Sequence, residues 1–536
     1  MMRANERAPT TVRALGMLID RGELARDEIR AASTDVDPTM ASAMIGGQDD
    51  VRPLSDIAMQ AANSLGERAL SPVILAGLVR LGEWLVIAST GLIIYAAYLG
   101  GELGLSGVYM AVIGVVATVA VGLFQLMGLY TPYGLRSISH QSVRLVGGWM
   151  ALFTVMLAVA FFSNLGDDLS RLWVGLWFAI GLVVLLVYRG AVMMQVRNWT
   201  AEGRLQRNAA LVGGGPEAEN LVRMLQASST SDLNLVGFFD DRGDDRSQQT
   251  CAGLPKLGTV DDAVAFARLA TLDMVIVTLP MTAEKRVLDM VRKLWVLPID
   301  VRLSAHTAKL RFRPRSYNYI GAVPFLAIFD RPLADWDFVA KSVLDRVIGG
   351  LALLALSPVM LAVALAVKLD SKGPIFFKQT RFGFNNEPIG VYKFRSMYTD
   401  MCDAKASKLV TKDDPRVTRV GAFIRKTSLD ELPQLFNVLM GDLSLVGPRP
   451  HAMAAKAAGG LYQDVVDGYF ARHKVKPGIT GWAQVNGWRG ETDTLEKLER
   501  RVEHDLYYIE NWSILLDLQV LAMTPLALIS HNENAY

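Results

Sequence analysis

Four apolar runs, one after another at short spacing, constrain this chain more than any other feature. They are roughly Ile74–Leu99, Val108–Leu129, Leu145–Leu165 and Leu172–Tyr188. Crossing the hydrocarbon of a bilayer takes about 20 apolar residues as helix, and helix is the conformation that pairs every backbone amide there. Residues 71–190 therefore read as a membrane α-helical bundle of four transmembrane helices. Arg80 and Glu83 lie near the start of the first run. Either the spanning part begins after them, or they pair within the bundle at their i, i+3 spacing. The 100–107 turn has no Lys or Arg, the 131–144 loop has Arg136 and Arg144, and Arg189, Arg197, Arg204 and Arg207 follow the last run. Positive residues stay inside, so both ends of the bundle are expected to face the cytoplasm.

Residues 1–70 are polar and charge-mixed, without the apolar stretch of a signal peptide. They are expected as a disordered cytoplasmic tail, with room for one amphipathic helix. Residues 207–305 read as an α/β Rossmann-like cytoplasmic domain. Ala210-Leu211-Val212 leads into Gly213-Gly214-Gly215 and Pro216, and the strand Leu235–Phe239 ends in Asp240-Asp241. A helix around Val260–Ala270 and a strand Met274–Thr278 complete the βαβ pattern. Gly213-x-Gly215-x-x-Ala218 with an acid about 20 residues on mimics a dinucleotide fingerprint. A tight-packing turn without a ligand explains the same residues, and both readings stand. Residues 306–335 are proline-punctuated and read as a linker. Residues 336–536 form the last domain.

Val347–Leu369 is long enough for a fifth span, yet Lys341 and Arg346 precede it and Lys368, Lys372, Lys378 and Arg381 follow. Positive charge on both flanks penalises either orientation. Ser357 and Pro358 sit in its middle, where proline removes an amide donor and clashes with the carbonyl four residues back. A re-entrant membrane helix at 345–369, broken at Ser357-Pro358, fits both facts; a kinked spanning helix is the other reading.

Beyond it, cations recur between apolar anchors: Lys378, Arg381, Lys393-Phe394-Arg395-Ser396-Met397, Arg416, Arg419, and Arg425-Lys426. Guanidinium forks suit phosphate oxygens. Within this field stand two adjacent carboxylates in Ser428-Leu429-Asp430-Glu431-Leu432-Pro433-Gln434, followed by Gly447-Pro448-Arg449-Pro450. Ser428-x-x-Glu431 spells a capping box, and Pro433 fits only near a helix start. This places Asp430 at a helix N-terminus, where free amides attract phosphate. Elsewhere the chain excludes whole classes. Fifty-five Lys and Arg against 53 Asp and Glu leave +2, which speaks for no nucleic acid partner. Two cysteines, Cys251 and Cys402, make neither a disulfide framework nor a zinc site.

The Lys-Phe-Arg-Ser-Met, Ser-Leu-Asp-Glu-Leu-Pro-Gln and Gly-Pro-Arg-Pro segments resemble those of the bacterial polyprenyl-phosphate hexose-1-phosphate transferases, the large monotopic phosphoglycosyl transferases. The resemblance covers about Asp337–Tyr536, and the upstream bundle and Rossmann-like unit match the long form of that family. It implies an α-rich catalytic domain, a UDP-sugar donor, an undecaprenyl phosphate acceptor and Mg2+. Asp430 matches the family's nucleophile and Glu431 its metal-binding acid. Lys393, Arg395, Arg425 and the Pro448-Arg449-Pro450 turn match its phosphate-handling segments, and Ser357-Pro358 its helix-breaking pair. The implied reaction forms a sugar-phosphoryl aspartate, releases UMP and starts exopolysaccharide or O-antigen repeats. The chain end, Asn534-Ala535-Tyr536, resembles the glucose-1-phosphate branch. A homodimer is compatible with this architecture. Asp505 is left open between a structural place and one near the metal. The rivals are a non-catalytic nucleotide-sensing scaffold and a membrane-anchored NAD-dependent epimerase or dehydratase. No Tyr-x-x-x-Lys pair follows the glycine turn, which counts against the latter.

Overall fold

The computed structural model describes residues 54–65, 69–104, 106–131, 138–162, 169–227, 232–242, 249–279, 284–304, 318–320, 323–399, 414–451, 456–457, 460–461, 469–488, 490 and 494–530. The expected tail up to residue 53, Cys402, Arg489 and the chain end Asn534-Ala535-Tyr536 lie outside the described residues. The chain divides into two compact units. One comprises Leu54–Ala355 and Leu506–Ala522; the other contains Leu356–Asp505 and the described part of Met523–Tyr536.

In the first unit, α1 (Asp56–Ser64) precedes four long helices: α2 (Pro72–Tyr98), α3 (Gly107–Leu126), α4 (Ile138–Phe162) and α5 (Arg171–Ala201). All four are long and apolar enough to cross a membrane, as is α9 (Asp335–Asp370). Their core is aromatic. Tyr95, Tyr109, Trp173 and Trp177 follow one another at ring separations of 4.8, 4.9 and 4.9 Å. An indole N–H in an apolar core needs an acceptor. Trp173 Nε1 donates to the Gly91 carbonyl at 3.1 Å and Trp177 Nε1 to that of Ile87 at 3.2 Å. Gly91 is required here, because a Cβ on it would lie 2.7 Å from the Trp177 ring. The Arg80–Glu83 pairing left open by the sequence does not form: Glu83 pairs with Arg189.

The same unit holds a mixed eight-stranded sheet of order β3-β4-β2-β1-β5-β6-β8-β7. Its strands are β1 (Arg207–Val212), β2 (Leu233–Phe239), β3 (Thr250–Cys251), β4 (Leu254–Gly258), β5 (Met274–Val277), β6 (Asp300–Ser304), β7 (Asn318–Ile320) and β8 (Val323–Phe329). Its helices are α6 (Pro216–Ala227), α7 (Val260–Leu269) and α8 (Glu284–Leu294). The parallel centre matches the βαβ expectation. Two expectations need correction. The stretch expected as a linker supplies β7 and β8, antiparallel strands on the β6 edge. Apolar residues alternating through Val323 and Phe325, both fully buried, drive that pairing. The end of the expected tail is α1, whose Ala58 is fully buried in the core under the sheet, while Ser55 Oγ donates to the Leu257 carbonyl at 2.9 Å.

The helix expected to break at Ser357-Pro358 is one 36-residue element, α9, with Pro358 inside it. The expected two-helix break is thus absent from the described helix. Its N-terminal half is held by a buried network: Lys341 Nζ lies 3.1 Å from Asp345 and 2.6 Å from Asp517. Asp517 also accepts from Tyr508 Oη at 2.7 Å and Trp512 Nε1 at 3.3 Å. The remaining helices are α10 (Arg419–Lys426) and α11 (Gln434–Met440) of the second unit, followed by α12 (Leu495–Glu510) and α13 (Ile514–Ser530).

Candidate active site

The second unit places the adjacent carboxylates on a short turn between two helices. Thr418 caps α10 by accepting from Gly421 N at 2.9 Å. The helix ends at Thr427, and Ser428 then takes a left-handed φ of 58°. That conformation costs a non-glycine residue about 1–2 kcal/mol, and it turns the chain into the 3-10 turn Leu429–Glu431 that leads into α11. The expected capping box is absent. Ser428 makes no side-chain cap at this turn, and the Glu431 carboxylate points to cations instead of back to the Ser428 amide. Two electrostatic partners outcompete one neutral amide.

Glu431 is held like a clasp. Arg449 donates to Oε1 at 2.6 Å and to Oε2 at 3.2 Å, and Lys393 Nζ donates to Oε1 at 2.9 Å. Lys393 Nζ also lies 3.9 Å from Asp430 Oδ2. Burial would raise the Glu431 pKa, but Arg449 and Lys393 hold it well below the carboxylate range. Asp430 goes the other way. Burial raises its pKa, Lys393 opposes that, Glu431 adds to it, and Arg425 and Arg449 oppose it more weakly. Two neighbouring acids are thus pushed apart, one firmly ionised and the other poised higher. Both carboxylates keep 14% of their side-chain area open.

Three further contacts fix this geometry. The strands Phe376–Phe382 and Pro388–Phe394 form an antiparallel hairpin that carries Lys393. Fully buried Asn437 of α11 stitches that hairpin to the turn, accepting from Tyr392 N at 3.0 Å and donating to the Gly390 carbonyl at 2.8 Å. The Pro448-Arg449-Pro450 carbonyls are each tied down, by Gly478 N at 2.9 Å, Arg472 Nη2 at 2.9 Å and Arg381 Nη1 at 2.7 Å. Arg472 is itself fully buried against Asp505 at 2.5 Å. His451 lies 2.5 Å from Arg472 and 2.8 Å from Tyr469 Oη. Burial and the facing Arg472, Arg501 and Arg381 depress its pKa far below the ordinary histidine value, so the ring is neutral.

The structure therefore brings together Asp430, Glu431, Lys393, Arg425 and Arg449. It does not bring Arg395 to them. Arg395 is 3% exposed and spends its fork on Pro374 O at 2.7 Å, Ser371 Oγ at 2.7 Å and Ser371 O at 2.8 Å. It clasps the chain leaving α9. Pro448 and Pro450 are buried and contribute held carbonyls to the turn that presents Arg449. Asp505 has the structural place. Asn437, Arg472 and His451 went unsingled because each acts through a partner distant in sequence.

Among the described residues no group of three His, Cys, Asp or Glu side chains is placed to hold a metal. The Asp430–Glu431 pair nonetheless suits Mg2+, which takes one or two carboxylates and fills its shell with phosphate oxygens and water. Glu431 Oε2 carries a single, longer hydrogen bond and keeps acceptor capacity for it.

The bacterial sugar transferase family matches residues 336–531, and a CoA-binding domain family matches residues 125–305. The glycine turn does not fit a bound nucleotide as it stands. Asp240 accepts from Gly214 N at 3.0 Å and pairs with Arg242 at 2.7 Å, while Asp241 accepts from Val260 N at 2.8 Å. The acid expected for a ribose and the amide expected for a phosphate bind each other, which favours the packing reading.

The UDP-glucose:undecaprenyl-phosphate glucose-1-phosphate transferase of Xanthomonas campestris pv. campestris is 33% identical over 489 residues, 90% of this chain and all of that protein. The enzyme of the same name from Escherichia coli (strain K12) is 36% identical over 426 residues, 78% of this chain and 89% of that protein. The undecaprenyl-phosphate glucose phosphotransferase of Komagataeibacter xylinus is 42% identical over 349 residues, 65% of this chain and 64% of that protein. With its Asp430–Glu431 pair set among cations in the matched region, the chain belongs to the bacterial polyprenyl-phosphate hexose-1-phosphate transferases and is an enzyme of that class.

Proposed function

We propose that this membrane protein transfers glucose-1-phosphate from UDP-glucose to undecaprenyl phosphate at the inner face of the cytoplasmic membrane, as the first step of exopolysaccharide or O-antigen repeat assembly. The observation that carries the reading is the pair of neighbouring carboxylates set among cations, Glu431 clasped by Arg449 and Lys393, with Lys393 also 3.9 Å from Asp430. The relatives' names support the donor and the acceptor.

The roles follow from charge. A carboxylate meets strong repulsion from an anionic diphosphate, so cations must neutralise the approach. Lys393 and Arg449 now neutralise Glu431, and the donor's phosphate oxygens offer the same fork bidentate partners of higher total charge. Their transfer to the donor leaves Glu431 free as a ligand. Mg2+ held there would neutralise diphosphate charge and polarise its oxygens. Asp430 Oδ attacks the β-phosphorus. The bond from that phosphorus to the bridging oxygen breaks, and UMP leaves with the electron pair. A phosphate oxygen of the acceptor then attacks the same phosphorus and displaces the Asp430 carboxylate. One phosphoanhydride replaces another, and a covalent stage lets a soluble donor and a lipid acceptor use one site in turn.

The test is mass spectrometry of protein incubated with UDP-glucose alone. A hexose-phosphate adduct is expected on the Ser428–Gln434 peptide, with UMP released in equal amount, and both vanish in Asp430→Asn. Lipid-linked sugar accumulating in Asp430→Asn would remove the nucleophile's role. The non-catalytic scaffold reading has no support beside the enzyme family found.

A further inference from the structure

The helical bundle buries a charge cluster that the transfer chemistry does not use. Glu83 of α2 is fully buried and forms an ion pair with Arg189 of α5 and a hydrogen bond with Tyr130 Oη. Arg189 Nη1 also donates to the Leu129 carbonyl at 3.2 Å. A second cation, Arg80, stacks on the same Tyr130 ring, its guanidinium carbon 5.2 Å from the ring centre and that of Arg189 4.9 Å away. Two guanidiniums therefore face one tyrosine ring, and only that of Arg189 pairs with the carboxylate. Arg189 Nη2 and Arg80 Nε are buried without a hydrogen-bond partner among the described residues.

An unmatched charge with open donors is costly in a bundle facing hydrocarbon. A water could fill a donor but would leave the charge. We propose that Arg80 and Arg189, held about Tyr130, form a binding site for the phosphate group of a membrane lipid. Position, access and chemistry support it. No charged residue stands between Trp84 and Tyr98 on α2 or between Leu172 and Tyr188 on α5, so the cluster lies at the hydrocarbon boundary. Leu70 N donates to the Arg204 carbonyl at 2.9 Å, so the entry and exit of the bundle meet at this same end. Phosphate headgroups lie at that level. Arg80 is only part-buried, so part of its side chain is open at the bundle surface, while its Nε stays covered. A planar fork is matched to phosphate oxygens, and basic pockets between transmembrane helices bind such headgroups.

Two lipids offer this chemistry, a polyprenyl phosphate and an anionic phospholipid such as phosphatidylglycerol. Full-length protein in phosphatidylcholine nanodiscs doped with one or the other separates them, with retained lipid counted by native mass spectrometry. The wild type is expected to retain about one doped lipid. Arg80→Gln leaves the Glu83–Arg189 pair intact and should lower retention at least about tenfold, the scale of one charge-assisted contact. Arg80→Lys, which keeps the charge without the fork, should lose less, and it decides the matter if Arg80→Gln fails to fold. Loss confined to the polyprenyl phosphate arm assigns the site to that lipid, and loss in both arms assigns it to phosphate headgroups in general. Equal retention by all three proteins in both arms overturns the proposal. Thermal stabilisation by inorganic phosphate alone, with no lipid retained, overturns the lipid assignment. Binding is the readout, so the result stands apart from the fate of the Asp430 reading.

Discussion

As the proposed nucleophile, Asp430 must be ionised to attack a phosphorus, yet its setting raises its pKa. Burial raises its pKa and Lys393 is the largest influence pulling it back. A raised pKa means that the nucleophilic form is lost as pH falls through that raised value, so UMP release from donor alone should show an acidic limb at higher pH than an ordinary aspartate would give. Lys393→Met removes the main opposing charge. Its acidic limb should move to higher pH, and its plateau should fall about 10²–10³-fold, the usual loss for one donor on a transferring group. A pH–rate series on both proteins measures the two effects separately. An unmoved limb with a lowered plateau would confine Lys393 to the donor phosphates. Glu431→Gln should act in the opposite direction on the limb, because Glu431 raises the Asp430 pKa. The same pair shows what sequence reading reaches. Asp430, Glu431, Lys393 and Arg449 are legible as charged residue types in quoted motifs. Arg395 stands in an equally basic motif but is turned away, because the Ser371 and Pro374 carbonyls of the chain leaving α9 claim its fork.

Elements, rather than single side chains, set where Arg449 points. The Gly-Pro-Arg-Pro turn is braced from α12 through Asp505 and Arg472, a fully buried ion pair whose guanidinium also holds the Arg449 carbonyl. Asp505→Asn should destabilise the protein by about 3–5 kcal/mol, because it strands a buried charge. The double variant Arg472→Met/Asp505→Leu removes the pair as a unit and should recover most of that stability. Its donor KM should stay raised about tenfold or more, since nothing then holds the Arg449 carbonyl. Thermal midpoints and donor kinetics on the single and double variants give both numbers, and recovery of KM together with stability would make the brace purely structural. This layer was illegible in the sequence for a physical reason. Arg472 and Asp505 are 33 residues apart, and no local periodicity links them. The bundle and the parallel sheet were legible because length, hydropathy and the glycine turn are local. The β7–β8 pair is hidden because Pro324 makes a strand look like a linker, although Pro324 lies near the start of β8, one residue before its pairing with β6 begins.

At the scale of the whole molecule, the open question is the course of α9. Its length and apolar character would let it cross the bilayer, and its helix is continuous through Pro358. Charge argues for a return to the face it entered. Lys341 near its start is fixed in the buried network with Asp345 and Asp517, and Lys368 and Lys372 follow its apolar stretch. Cations on both flanks disfavour translocating either end. Proline within a helix removes one backbone bond and permits a bend. The proposed donor also arises in the cytosol, so under that proposal residues beyond Lys372 are expected on that side. The prediction is that Asp337→Cys and Lys372→Cys, each in a background of Cys251→Ser and Cys402→Ser, are both protected from an impermeant maleimide in intact cells and both labelled once the membrane is opened. Labelling of Lys372→Cys alone in intact cells would make α9 a spanning helix and place the Asp430 site across the membrane from its donor. Pro358→Leu tests the cause. A proline-free helix favours the straight course, so a fraction of Lys372→Cys should then become reactive from outside, with transfer activity falling by the same fraction.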